Sequence, residues 1–135
     1  MNPRYAQVAE RASHRCEYCQ APEAVFNFPF EVEHIIPPGR GGTDEADNWA
    51  LSCRSCNLHK SDYVAAVDPQ TRALAQLFHP RRQRWDEHFT ADSDTGALKG
   101  VTPSGRATVE RLQMNRLSQL AARKQWTRLR LFPLS

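Results

Sequence analysis

The sequence predicts an α+β fold in which short strands and a central helix are flanked by an N-terminal helix and a C-terminal hairpin and helix. Three observations predict it. The stretch "EVEHIIP", residues 31–37, carries β-branched Val32, Ile35 and Ile36, which suit a pleated, half-buried surface. Pro37 and Pro38 end it, because proline cannot donate to a ladder. Near both chain ends, apolar residues recur at the three- and four-residue spacing of a helix face. Between them, four cysteines stand in two C-x-x-C pairs, Cys16/Cys19 and Cys53/Cys56, that bracket the strand run. A chain of 135 residues fits one domain and can bury roughly two-thirds of its unfolded surface.

Asn2-Pro3 can cap and open a helix, and "RYAQVAERASHR" then places Tyr5, Val8, Ala9 and Ala12 on one face. "CEYC" is a turn. "VFNFPFEVEHIIP" reads as two short strands or a hairpin bent at Pro29. "PGRGGTDEAD" is a loop, and "NWALSCRSCNLHKSDYVAAV" is a short strand or turn running into a helix. Asp68-Pro69 breaks the chain, and "TRALAQLFHPRRQRWDEHF" is mixed, interrupted by Pro80. "EHFTADSDTGALKGVTP" reads as a hairpin turning near Asp94-Thr95-Gly96. Thr102-Pro103-Ser104 then caps a helix running toward Arg130, with Asn115 as a break or kink. Trp85 and Phe89, four apart, are read as core, although either ring could stack on a base. The organisation expected is a core over residues 1–65 and an extension over residues 66–135, packed on it as a single domain.

Composition narrows the class. Charged residues at 24% and hydrophobic residues at 40% speak against wholesale disorder. No apolar run approaches the roughly 20 residues that span a bilayer, and "MNPRYAQVAE" lacks the apolar centre of a secretory signal. A cytoplasmic protein with no membrane partner is therefore expected. The net charge is +3, unevenly spread: from Ser104 onward seven basic residues face one acid, a net of +6, and the remainder is −3. Such asymmetry suggests a segment that meets a polyanion; a solvated, arginine-rich helix face is the alternative.

Two C-x-x-C pairs are the usual way to give tetrahedral zinc four thiolates. Without export signals, disulfides are the weaker explanation; a redox pair, or one pair simply buried, is the remaining alternative. Cys16, Cys19, Cys53 and Cys56 would close the zinc's coordination shell, so the metal would be structural. It would tie the two cysteine-bearing turns together, with "EVEHIIP" inside the loop that it closes.

The run "EVEHIIPPGRGGTDEADNWALSCRSCNLHK" puts an acid-histidine pair, a glycine-rich loop, an asparagine and a "CN..K" ending in order between and around the cysteine pairs. Over residues 16–60 it resembles the HNH nucleases, whose ββα-metal (His-Me finger) fold packs a two-stranded ribbon on one helix around a divalent cation. The resemblance implies a metal-dependent endonuclease that leaves a 5′-phosphate and a 3′-hydroxyl. It implies His34 as general base and Asn48 as the residue bracing the loop and orienting that base. Glu33 falls at the position of the metal-binding acid. Asn57 stands where many members have a last histidine, and others an asparagine, as metal ligand. That departure favours a hard cation, Mg²⁺ or Mn²⁺, over zinc in the catalytic site. His59, two residues on and about 200° round a helix, is the rival ligand.

The chemistry is coherent without the family. An imidazole that titrates near 6.5 in model peptides can take a proton from water at neutral pH. A dication can neutralise the phosphate and stabilise the departing alkoxide. Adjacent residues on an ideal strand face opposite ways, so Glu33 and His34 serve one site only if the strand ends or bends there. Arg40, Arg54 and Lys60 are candidate phosphate contacts, with DNA as the expected partner; Arg81, Arg82 and Arg84 could meet flanking phosphates. His14, His79 and His88 have no partners in sequence and are read as packing or surface residues. The competing readings are a zinc-stabilised nucleic-acid-binding module without hydrolysis, and a protein-interaction domain using the C-terminal helix.

Overall fold

Asn2 accepts the N–H of Arg4 on its side chain (2.8 Å) and that of Tyr5 on its carbonyl (3.0 Å), and the first helix follows. The structure, a computed structural model, describes residues 2–132. Helix α1, Tyr5–Arg11, buries Val8 and Ala9, two positions on the face its sequence spacing predicts.

The centre is a ββα unit. Strand β1, Glu31–His34, pairs antiparallel with β2, Trp49–Ser52, in the register Glu31↔Ser52, Val32↔Leu51, Glu33↔Ala50, His34↔Trp49. Helix α2, Arg54–Lys60, begins at Cys53, whose sulfur accepts the Cys56 N–H at 3.4 Å and so serves as the cap. The fold is thus α+β, as expected, but the first strand's partner is not the preceding stretch. Residues 26–30 form no strand. Pro29 has no N–H to give a ladder, and Phe26 instead packs edge-on against Phe30 (4.9 Å between ring centroids) and against Trp126 (6.1 Å).

Beyond α2 come two hairpins and two helices. Strands β3, Ala65–Val67, and β4, Leu74–Gln76, form a hairpin, so the run expected to continue as a helix through "YVAAV" stops at Lys60 and turns to strand, and β4 lies in the segment expected to be mixed. Asp68 makes its turn: fully buried, it accepts from the Gln70 N–H, the Thr71 hydroxyl and both arms of Arg106 (3.0 Å each). Strands β5, Phe89–Ala91, and β6, Leu98–Gly100, form the expected second hairpin. Gly96 sits at φ +78° in its turn, where an added Cβ would fall 2.5 Å from the Leu120 carbonyl oxygen. Thr102 caps α3, Pro103–Arg111, by accepting the Gly105 N–H at 3.0 Å. The helix expected to reach Arg130 breaks before α4, Leu117–Arg128. Asn115 is the cause: its amide accepts the Leu98 N–H (2.9 Å) and donates to the Leu98 carbonyl (2.8 Å), pairing with the outer rim of β6 instead of continuing the helix.

The two parts share one buried interior. Tyr18 and Leu51 of the N-terminal half and Phe78, Phe89, Leu98, Leu112 and Met114 of the rest are all inside. Trp85 stacks on Phe89 (5.0 Å), and its indole N–H donates to the Tyr18 carbonyl at 2.7 Å. Both rings are therefore packing residues, although Trp85 lies on a 3₁₀ turn and Phe89 on a strand rather than on one helix. Arg81 pairs with Glu17, and Arg15 donates to the Leu131 carbonyl at 2.5 Å. Among the described residues no helix is long and apolar enough to cross a membrane.

Candidate metal centre and active site

The four cysteines meet. Their sulfurs lie within 4.8 Å of one another, all are buried, and none is in a disulfide. Four sulfurs about 2.3 Å from a tetrahedral zinc stand about 3.8 Å apart; the Cys19 and Cys53 sulfurs are 3.8 Å apart. In each C-x-x-C turn the second cysteine's N–H points at the first one's sulfur, at 3.5 Å (Cys19 to Cys16) and 3.4 Å (Cys56 to Cys53). Donor set, spacing and backbone support all fit structural zinc. Hydrogen bonds from Cys16, Cys53 and Cys56 hold the Cys19 thiol well below the ordinary thiol range. Bonding to the neighbouring sulfurs, then burial, pushes Cys53 and Cys56 up. Four adjacent thiolates need a dication, whose binding displaces the protons.

Arg123 on α4 is the cluster's buried neighbour. It is 1% exposed and donates to the carbonyls of Gly96 (2.5 Å) and Met114 (2.8 Å). Burial lowers its guanidinium below the usual range, while the cysteine thiolates act in the opposite sense. A tetrathiolate zinc site carries a net negative charge, which a buried cation offsets.

Strand β1 ends at His34, which meets the condition for Glu33 and His34 to serve one site. Glu33 is 9% exposed. Its Oε1 accepts the Tyr18 hydroxyl, and its Oε2 lies 3.9 Å from the Lys60 ammonium, beyond hydrogen-bonding distance. Burial pushes the Glu33 carboxyl up to about 7, against the pull of Lys60 and Tyr18. Burial likewise lowers Lys60, whose Nζ donates to the Ile35 carbonyl at 2.8 Å. At 1% exposed, Lys60 is not the surface phosphate contact expected; its charge is spent inside, beside Glu33.

His34 is more open, its side chain 31% exposed, with Nε2 2.9 Å from an Asp44 carboxylate oxygen. Asn48 clamps the intervening loop. Its oxygen accepts the Ile36 N–H (2.9 Å), and its amide donates to the carbonyls of Ile36 (2.9 Å) and Thr43 (2.7 Å). Gly42 permits that closure, since a Cβ there would lie 1.7 Å from the Ile36 oxygen.

Asn57 lies half-buried on α2, and its side chain makes no hydrogen bond among the described residues. The Glu33 Oε2 and the Asn57 amide are thus oxygen donors unclaimed by other groups, the kind that suits Mg²⁺ or Mn²⁺. His59 turns elsewhere: Nδ1 lies 2.8 Å from the Ser55 carbonyl, and Nε2 lies 3.4 Å from Arg116. Arg54 is exposed, and Arg40 is exposed while donating to the Asp62 carbonyl at 2.7 Å.

The basic tail divides. Arg106 is taken by Asp68, Arg111 lies over the Tyr63 ring (4.4 Å to its centroid) and Arg123 is buried. Arg116, Lys124, Arg128 and Arg130 are exposed. Sequence reasoning missed Asp44, Arg4 and Tyr18 as partners of the site. Only Asp44 left a signal, as an acid in the loop between His34 and Asn48, and nothing set it apart from Glu45 or Asp47.

The family model described as HNH endonuclease matches residues 16–63, from the first cysteine pair to just past α2 and about a third of the chain. No curated protein and no solved structure matches.

Proposed function

We propose that this chain, whose residues 16–63 carry an HNH endonuclease domain, is a metal-dependent endonuclease that hydrolyses phosphodiester bonds in DNA. The observation supporting it is the conjunction on β1 of an accessible imidazole, His34, with a buried carboxylate, Glu33, beside a loop clamped by Asn48. His34 takes a proton from a water molecule. The water oxygen attacks phosphorus, the P–O3′ bond breaks, and the departing oxygen is protonated, leaving a 5′-phosphate and a 3′-hydroxyl. Asn48 keeps the loop, and with it the base, in place. Glu33 and Asn57 would hold Mg²⁺ or Mn²⁺, which when bound supplies charge neutralisation at the phosphate and the leaving oxygen. Arg40 and Arg54 meet the DNA backbone. Residues 1–65 serve as the catalytic core and residues 66–135 as an extension folded onto it, its exposed arginines adding phosphate contacts.

Paired measurements test this: DNA retention and DNA cleavage, for wild type and His34→Ala. Loss of a general base costs roughly 10²–10⁴-fold in rate and leaves phosphate contacts intact. Cleavage should fall by that factor while retention stays the same. Retention without cleavage by the wild type would leave a zinc-stabilised binding module.

A further inference from the structure

His34 is part of a chain of contacts that reaches outside the matched domain. Asp44 Oδ1 receives the His34 Nε2 at 2.9 Å, and Arg4 grips the same carboxylate with both terminal nitrogens at 2.5 Å. Arg4 in turn lies over the Trp49 ring, 4.3 Å from its centroid, and Trp49 is the residue opposite His34 in the ladder. Arg11 fixes α1 to the same loop by donating to the carbonyls of Ala46 (2.8 Å) and Trp49 (2.6 Å).

A carboxylate in a two-pronged pair with arginine is an acceptor only. Arg4, then His34, hold Asp44 well below the usual carboxylate range, so the acceptor form persists at neutral pH. The bond to His34 therefore requires the hydrogen on Nε2. A neutral imidazole carries one N–H, so its lone pair falls on Nδ1.

We propose that Asp44, gripped by Arg4, is a positioning residue that fixes His34 in the Nε2–H tautomer and presents a bare Nδ1 to the attacking water. This rests on the reading of His34 as base. Asp44 touches neither water nor phosphate in that role; it acts through the ring. Arg4, at the start of α1 and before the matched segment, thereby becomes part of the active site.

The tautomer can be read without DNA, from long-range ¹H–¹⁵N correlations of the zinc-loaded full chain, with the His34 signals assigned by their loss in His34→Gln. Wild type should show Nε2–H. Asp44→Ala should show a mixture, and Asp44→Asn, which keeps an oxygen acceptor, should restore Nε2–H. Asp44 is 61% exposed, so neither change threatens the fold. In plasmid nicking, Asp44→Ala should lower kcat roughly ten- to a hundredfold, the scale of a misplaced catalytic group, with KM unchanged and Asp44→Asn between. An Nδ1–H tautomer in wild type, or a tautomer and kcat unmoved by Asp44→Ala, overturns the proposal. A wild type that cleaves nothing defeats the nuclease reading instead, while the spectrum still decides the Asp44–His34 pair.

Discussion

Glu33 and His34 are neighbours in very different surroundings, and each offers its own test. Glu33 is buried, with its carboxyl pushed up to about 7. An acid whose folded pKa is raised stabilises the fold below its unfolded value and loses that stabilisation as pH rises through the folded value. From pH 6 to pH 8 wild type should lose about 1 kcal/mol on this account, and Glu33→Gln should not. Urea midpoints at the two pH values compare them, and identical slopes would show Glu33 ionised throughout. Asn48 is a second test. Asn48→Ala strands the Ile36 N–H and carbonyl and the Thr43 carbonyl. Ile36 is half-buried and Thr43 exposed, so stranding these partners costs roughly 1–3 kcal/mol, visible as a lower urea midpoint. A loss under about 1 kcal/mol would mean the loop closes without its clamp.

Among the elements, α4 separates two roles that the sequence ran together. Arg123 and Arg128 contribute the same charge to the tail, but one is buried against carbonyls and the other is in solvent. Arg123→Ala should lower stability by roughly 2–4 kcal/mol, since it leaves two carbonyls unpaired, and leave the salt dependence of DNA binding unchanged. Arg128→Ala should leave stability alone and reduce the slope of log K against log salt by about 1. The reverse pattern would place Arg128, not Arg123, in the structural role. The elements legible in sequence were those with a local cause. Thr102-Pro103 fixes the start of α3, Asp94-Thr95-Gly96 turns the β5–β6 hairpin, and two C-x-x-C turns announce the cysteine cluster. Asn115 was legible as a break, though not for its reason, a bond to Leu98 across the chain. What stayed hidden depended on distant partners. The β3–β4 hairpin owes its turn to Arg106 gripping Asp68, 38 residues away. Phe26–Phe30 has strand composition but packs on Trp126. Lys60 looked like a surface cation and is held inside by Glu33 and Ile35. The His34–Asp44–Arg4 chain needed three segments brought together.

At the scale of the whole molecule, the cysteine cluster is where the parts converge. It joins the turn after α1 to the start of α2, lies inside the common core and has Arg123 of α4 beside it. Structural zinc contributes about 10–16 kcal/mol of apparent binding energy in small domains, as much as the 5–15 kcal/mol of net stability that whole proteins of this kind have. One zinc per chain is expected by elemental analysis, and a strong chelator should abolish cooperative unfolding; a protein unmoved by chelation would have a core that does not depend on the cluster. With that frame intact, His34 is held in place for proton transfer. The most direct measurement is conversion of supercoiled plasmid to the nicked form by the zinc-loaded protein, with Mg²⁺, with Mn²⁺ and with neither. Nicking should require the added cation, and DNA ligase should reseal the nicks, because hydrolysis leaves a 5′-phosphate beside a 3′-hydroxyl. Folded, zinc-loaded protein that nicks with neither cation, or nicks equally well without them, would contradict that role.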